Sequence, residues 1–164
     1  MGKANLCLIG VVAVLIMATT TWAFAQGHIK LTSVAEVEQQ VFNEEGKKEV
    51  KRMPAEKVVP GSEVIFTSDY ENVSRETAEK AVITNPVPEH MVYVDESARG
   101  TGARITFSVD NGRTYDIPAR LFVLDAAGRK SPARPGDITH IRWTLEAPLP
   151  PGARGAVSFR AVLE

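Results

Sequence analysis

The chain has 164 residues, with 19 Lys and Arg set against 20 Asp and Glu. No run of like charge exceeds three residues, which argues against nucleic acid as a partner, since that wants a basic face, and against a polybasic membrane patch. Its single cysteine, Cys7, excludes an internal disulfide and with it the disulfide-stapled class of small secreted domains.

In chain order, the first segment is a targeting signal. Lys3 supplies a short positive region, "LCLIGVVAVLIMATT" an apolar stretch, and Ala23-Phe24-Ala25 before Gln26 a small-x-small cleavage pattern. Residues 1–25 therefore read as a secretory signal peptide. The apolar run from Leu6 to Met17 is twelve residues, short of the about 20 that a spanning helix needs. Cys7 stands near the start of that run, not at the cleavage point where a lipoprotein cysteine sits. Cleavage leaves about 140 residues without cysteine, ample for one hydrophobic core. The expected product is exported, periplasmic or extracellular, and meets the membrane only through the signal peptide before cleavage.

The rest reads as strands and turns. Residues 26–57 form an N-terminal extension. In it Ile29, Leu31 and Ser33 alternate with Lys30, Thr32 and Val34, and "AEVEQQVFNEEGKKEVKR" gives an extended strand, a Glu-Glu-Gly turn and a second strand through Val50. Residues 58–164 form the main domain. Pro60-Gly61 makes a tight turn. "EVIFTSDYEN" then puts Val64, Phe66, Ser68 and Tyr70 on one face and Glu63, Ile65, Thr67 and Asp69 on the other, the period of two that marks a strand. "AVIT" is a short strand stopped by "NPVP", and "MVYV" is the next. "RITFSVD" directs Ile105, Phe107 and Val109 inward; Asn111-Gly112 signals a two-residue hairpin turn, with "RTYDI" as the return strand. "RLFVLDAAGRK", "DITHIRWTL" and "AVSFRAVLE" follow, the last with Val157, Phe159, Ala161 and Leu163 on one face. Short strands about every ten residues, with no helical period, predict an all-β fold, a sandwich of about seven to nine strands.

Three pieces in order carry a family pattern: "VVPGSEVIFTSDYENVS", "AVITNPVPEHMVYV" with "ITFSVDNGRTY", and "DITHIRWTLEAPLPPGARGAVSFRAVL". A Pro-Gly turn, a strand ending in Tyr-x-Asn, a Pro-x-Pro before an aromatic-bearing strand and a second Pro-Gly turn resemble the bacterial cell-surface conserved-repeat domain, domain of unknown function eleven. The likeness runs from Val58 to Leu163, as a single copy. It implies an immunoglobulin-like β-sandwich on an exported envelope protein, with no catalytic residues to carry over.

The residues with chemistry in them give no strong site. Glu89 beside His90 puts an acid next to a possible base. Adjacent strand residues point to opposite faces, however, and prolines at 86 and 88 break the ladder there, so the pair reads as a strand corner. His28, His90 and His140 are far apart in sequence, with no thiolate nearby to complete a zinc site. "DES" at Asp95 and "DNGRTYD" at Asp110 offer oxygens, but not at calcium-loop spacing. Asn72-Val73-Ser74 is a formal glycosylation sequon that reads as a strand end. Trp143, alternating with Ile141 and Leu145, reads as core. His140 should lie on the polar face with Arg142 and Thr144, and Arg154 and Arg160 read as solvated charges. The expectation is a protein that is not an enzyme, with no catalytic, cofactor or metal residues. Its expected role is structural or protein-interacting in the bacterial cell envelope, with an unidentified envelope protein as partner. The other reading is a periplasmic or extracellular module that binds a small ligand or glycan through its loops. An open sandwich edge can accept a partner strand, and the extension is expected to cover such an edge in its own molecule or add to another's.

Overall fold

The computed structural model describes residues 29–164; the signal-peptide segment and His28 lie outside the described residues. Eleven strands run as β1 (Ile29–Phe42), β2 (Lys48–Pro54), β3 (Glu63–Asn72), β4 (Val82–Pro86), β5 (Met91–Tyr93), β6 (Arg99–Gly100), β7 (Ala103–Ser108), β8 (Phe122–Leu124), β9 (Lys130–Pro132), β10 (His140–Leu145) and β11 (Arg154–Leu163). The only helical pieces among the described residues are two single 3₁₀ turns, at Pro118–Arg120 and Pro135–Asp137.

Every strand pairing is antiparallel, and the fold is an all-β sandwich, as the alternating sequence predicts. One sheet has six strands in the order β2-β1-β3-β11-β5, with β6 also on β11; the other has three, β4-β10-β7. β8 and β9 form a separate hairpin.

The period of two places the core. From β3 and β11, Tyr70, Val157, Phe159 and Ala161 are buried; from the facing sheet, Ile83, Phe107, Ile141, Trp143 and Leu145 meet them. Trp143 and Phe159 lie 6.4 Å apart across the interface, and Phe66 stacks on Phe159 at 5.0 Å. Offset and tilted ring pairs of this kind add to the gain from burial. At one edge the layers are joined by polar groups. The Ser68 hydroxyl accepts from Asn85 Nδ2 at 2.8 Å and shares a 2.8 Å hydrogen bond with Ser33. On the β1–β4 side the two layers are thus tied together by hydrogen bonds.

Asn72 ends β3 fully buried. Its Nδ2 donates to the carbonyls of Glu76 (2.7 Å) and Leu149 (2.8 Å), and its Oδ1 accepts from the Ser74 amide and hydroxyl. The sequon asparagine is therefore a staple between two loops, with its amide nitrogen fully engaged. Asn72→Ala is expected to cost about 1–3 kcal/mol, because it removes four hydrogen bonds from a buried position, although the Leu149 and Glu76 carbonyls each keep a second donor, the Ala78 amide and the Ser74 hydroxyl. Urea denaturation checks this, and a loss below about 0.5 kcal/mol would contradict it.

One turn differs from its expected form. Asn111 (φ 59°) and Gly112 (φ 78°) both adopt the left-handed region, as an Asn-Gly turn requires. "RTYDI", however, does not return as a strand: it touches β7 only through an isolated bridge, Phe107 to Asp116. The cause is Asp110. Its carboxylate accepts from the Thr114 hydroxyl and amide, the Arg113 amide and the Ser108 hydroxyl. Those bonds, Thr114's foremost, hold its carboxyl far below the usual carboxylate range. A side chain that ties down its own following backbone widens the turn and competes with ladder pairing.

Candidate interaction surface

The N-terminal extension belongs to the sandwich. β1 pairs with β3 from Ile29 to Glu36, completing that edge of the large sheet within its own molecule. Beyond Glu36 the same strand continues without β3 and pairs only with β2, from Glu36–Pro54 to Phe42–Lys48. The sequence suggests two separate strands before the turn; the structure joins them in one strand of 14 residues. Nothing between Ile29 and Phe42 breaks a strand, since glycine and proline are both absent there.

The result is a two-stranded arm that leaves the body of the sandwich. Its tip is closed by Asn43, whose Oδ1 accepts from the amides of Glu45 and Lys47, and by Gly46 at φ 74°. Its root is clamped by charge. Arg160 of β11 donates to Glu63 at 2.6 Å and to Glu38 at 3.1 Å, while Arg52 approaches Glu38 at 3.6 Å. Hydrogen bonding from Arg160 lowers the Glu38 carboxyl below its ordinary value, and the two carboxylates raise the Arg160 guanidinium further. Arg160, which reads in sequence as a solvated strand charge, bridges Glu38 at the root of the arm and Glu63 of β3. Arg154 pairs with Glu71 at 2.8 Å on the outer face.

The arm is unusually bare. Every residue of β2 is exposed, and Phe42 and Val50, which share a face, are 70% and 59% exposed. Two-stranded ribbons in water are marginal and gain stability from a third strand. The free edge has a definite chemistry. Ala55 N–H donates to the Ala35 carbonyl and Asn43 N–H to the Lys47 carbonyl, so odd-numbered residues of β2 face β1. By the alternation of an antiparallel ladder, Lys48, Val50 and Arg52 turn their backbone N–H and C=O groups outward. Pro54 has no N–H, and its carbonyl is taken by Glu56, so the open ladder ends there. Amide hydrogen exchange across β2 is expected to alternate, faster at Lys48, Val50 and Arg52 than at Glu49, Lys51 and Met53. Residue-resolved exchange by NMR reads this directly, and a uniform rate across the strand would refute the assigned parity.

The other sheet's edge, at β4, is shorter. Leu145 donates to Ala81 and Val87 to Thr139, which leaves Val82 and Thr84 facing out before Pro86 stops the ladder. Between this edge and β1 lies a mostly apolar cleft of about 270 Å³, lined by Ser33, Ala35, Phe66, Asn85, Pro86 and Phe159 among others. A larger depression of about 460 Å³ on the outer face of the main sheet carries Lys30, Asp69, Glu71 and Arg154. No aromatic ring lies flat in it as a sugar platform: Tyr70 packs over Gly155, where a Cβ would collide with the Tyr70 hydroxyl.

The sequence-selected polar residues stay apart. Glu89 and His90 lie on an exposed turn, with His90 at φ 63°. The Met91 amide donates to Pro88 and the Glu164 amide to the His90 carbonyl, so this corner is fixed by backbone bonds. His140, Arg142 and Thr144 share the outer face of β10, as the alternation predicts, and Arg142 lies 3.5 Å from the ring centre of Tyr115. Among the described residues no three His, Cys, Asp or Glu side chains gather as a metal site would need, and no helix is long and apolar enough to cross a membrane. Trp143 is completely buried. What sequence reasoning missed was the bare edge of β2. Its only linear trace is the Lys-x-Val-x-Arg pattern at Lys48, Val50 and Arg52, charges on alternate positions of a strand, which is a known way of guarding an edge. Compared with known proteins, the chain matches no family model, no curated protein and no solved structure.

Proposed function

We propose that this protein is an exported, non-enzymatic interaction module of the bacterial cell envelope, which engages a partner protein through its β1–β2 arm. The observation that carries the reading is the arm itself: a ribbon clamped at its root by Arg160, exposed along its whole outer strand, and apolar at Phe42 and Val50. A rigid scaffold that presents a bare strand is built for contact by strand addition. The envelope location rests on the signal-like segment at residues 1–25 and on the resemblance to the conserved-repeat surface domain.

The test uses a photo-crosslinking amino acid in place of Gln39 or Phe42 in intact producing cells, with the adduct identified by mass spectrometry. The expected result is a defined adduct with one envelope protein, from a chain whose intact mass begins at Gln26. A chain that retains residues 1–25 in the cytoplasmic fraction, or an arm that yields no adduct, would overturn the reading.

A further inference from the structure

Resting on the interaction reading above, we infer that the free edge of β2 binds an acidic extended segment of another protein, in antiparallel register, with a β-branched residue opposite Val50. Three observations combine. The first is the parity of the edge, which offers N–H and C=O groups from Lys48, Val50 and Arg52 to an incoming strand. The second is charge. The strand carries Lys48, Lys51 and Arg52 against Glu49 alone. Among the described residues neither Lys48 nor Lys51 enters an ion pair, and Arg52 reaches Glu38 only at 3.6 Å. The third is the face shared by Lys48, Val50 and Arg52, where exposed Val50 is flanked by two cations.

A second copy of the chain is the obvious rival occupant. The hydrogen-bonding parity allows two β2 strands to pair with longest overlap only when Val50 lies opposite Val50. That register does set Glu49 opposite Lys51 of the second copy, twice. It also sets Lys48 opposite Arg52 of the second copy, twice, on the face whose backbone groups bond. Like charges directly opposite destabilise a strand pair, and lysine on an edge is how sheets avoid self-association. A segment with carboxylates at these places meets only opposite charges. Running antiparallel, it would place acids opposite Arg52 and Lys51, a β-branched residue opposite Val50, a lysine opposite Glu49 and an acid opposite Lys48. The segment so described reads acid-acid-Val-Lys-acid from its own N-terminus.

The experiment titrates the purified protein into a fluorescent peptide of about nine residues centred on Glu-Glu-Val-Lys-Glu, with a control centred on Lys-Lys-Val-Glu-Lys, followed by anisotropy. The acidic peptide should bind at least about tenfold more tightly than the basic one and weaken as salt screens the pairs. Val50→Pro removes an N–H that faces away from β1, so it should keep the fold, checked by circular dichroism, while cutting affinity at least about tenfold. K48E/R52E leaves the backbone intact and should remove the preference for the acidic peptide, since Glu49 and Lys51 are unchanged and two of the four charged pairs are then like-charged with either peptide. The inference falls if neither peptide binds, or if the acidic peptide binds both variants as well as the parent. It also falls if sedimentation shows a dimer that Val50→Pro abolishes. The cross-linking result separates this failure from failure of the broader reading. An envelope partner captured away from β2 keeps the interaction role and discards the edge; no captured partner discards the role itself.

Discussion

Deleting Ala156–Glu164 is expected to abolish the cooperative fold. The segment is most of β11, and β11 lies inside the large sheet, bonded to β3 along nine residue pairs on one side and to β5 and β6 on the other. It buries Val157, Phe159 and Ala161 at 1% exposure or less. Fully burying side chains such as Val157 and Phe159 contributes about 1.5–3 kcal/mol each, and domains of this size hold only about 5–15 kcal/mol in all. The truncation also removes Arg160, so the arm loses its clamp, and it bares the whole inner edge of β3 as a template for aggregation. Circular dichroism and a thermal melt of the truncated chain should show no native transition. A soluble monomer with an unchanged melt would mean that β3 and β5 can close the sheet without β11.

Trp143→Ala is the second large effect expected. Trp143 is the middle of β10, itself the middle strand of its sheet, and has no exposed surface. It meets Phe159 across the sandwich and lies so close to Gly100 that a Cβ there would stand 2.7 Å from its Cδ1. Truncation should cost about 3–5 kcal/mol from lost burial and the cavity left behind. Trp143→Phe should cost much less. The indole N–H finds no acceptor among the described residues, so phenylalanine removes an unsatisfied donor together with the volume. Urea midpoints of the two variants at unchanged slope would show the order. Equal losses would mean that the indole nitrogen is satisfied in solution.

The two variants probe the parts of the fold that the sequence states most plainly. In β10 and β11 a strict period of two coincides with burial on one face, so alternation and packing report the same thing, whereas in β3 Ile65 is buried on the face opposite Tyr70. Asn111-Gly112 shows where local signals stop. Both residues take the left-handed conformation that the dipeptide favours, yet the hairpin does not form, because the carboxylate of Asp110 captures the next turn first. The strand-turn-strand of the arm is legible in the sequence, but its continuity with the first strand and its lack of a buried face are not, because both depend on which neighbours the folded chain supplies. The bare edge at Lys48, Val50 and Arg52 depends on which neighbour each backbone group bonds, and side-chain identity does not encode that parity. Arg160 looked solvated for the same reason: its two carboxylate partners, Glu38 and Glu63, are brought to it only by sheet register.

The continuous β1 has a mechanical consequence. Tension applied to the tip at Asn43–Lys47 along the strand axis loads the β1–β3 ladder, from Ile29–Asn72 to Glu36–Ile65, in shear, and all its bonds resist at once. Tension across the axis peels the same bonds one after another from Glu36 inward, after the Arg160 clamp gives way. The arm therefore resists force in line with the sheet and yields to force applied across it.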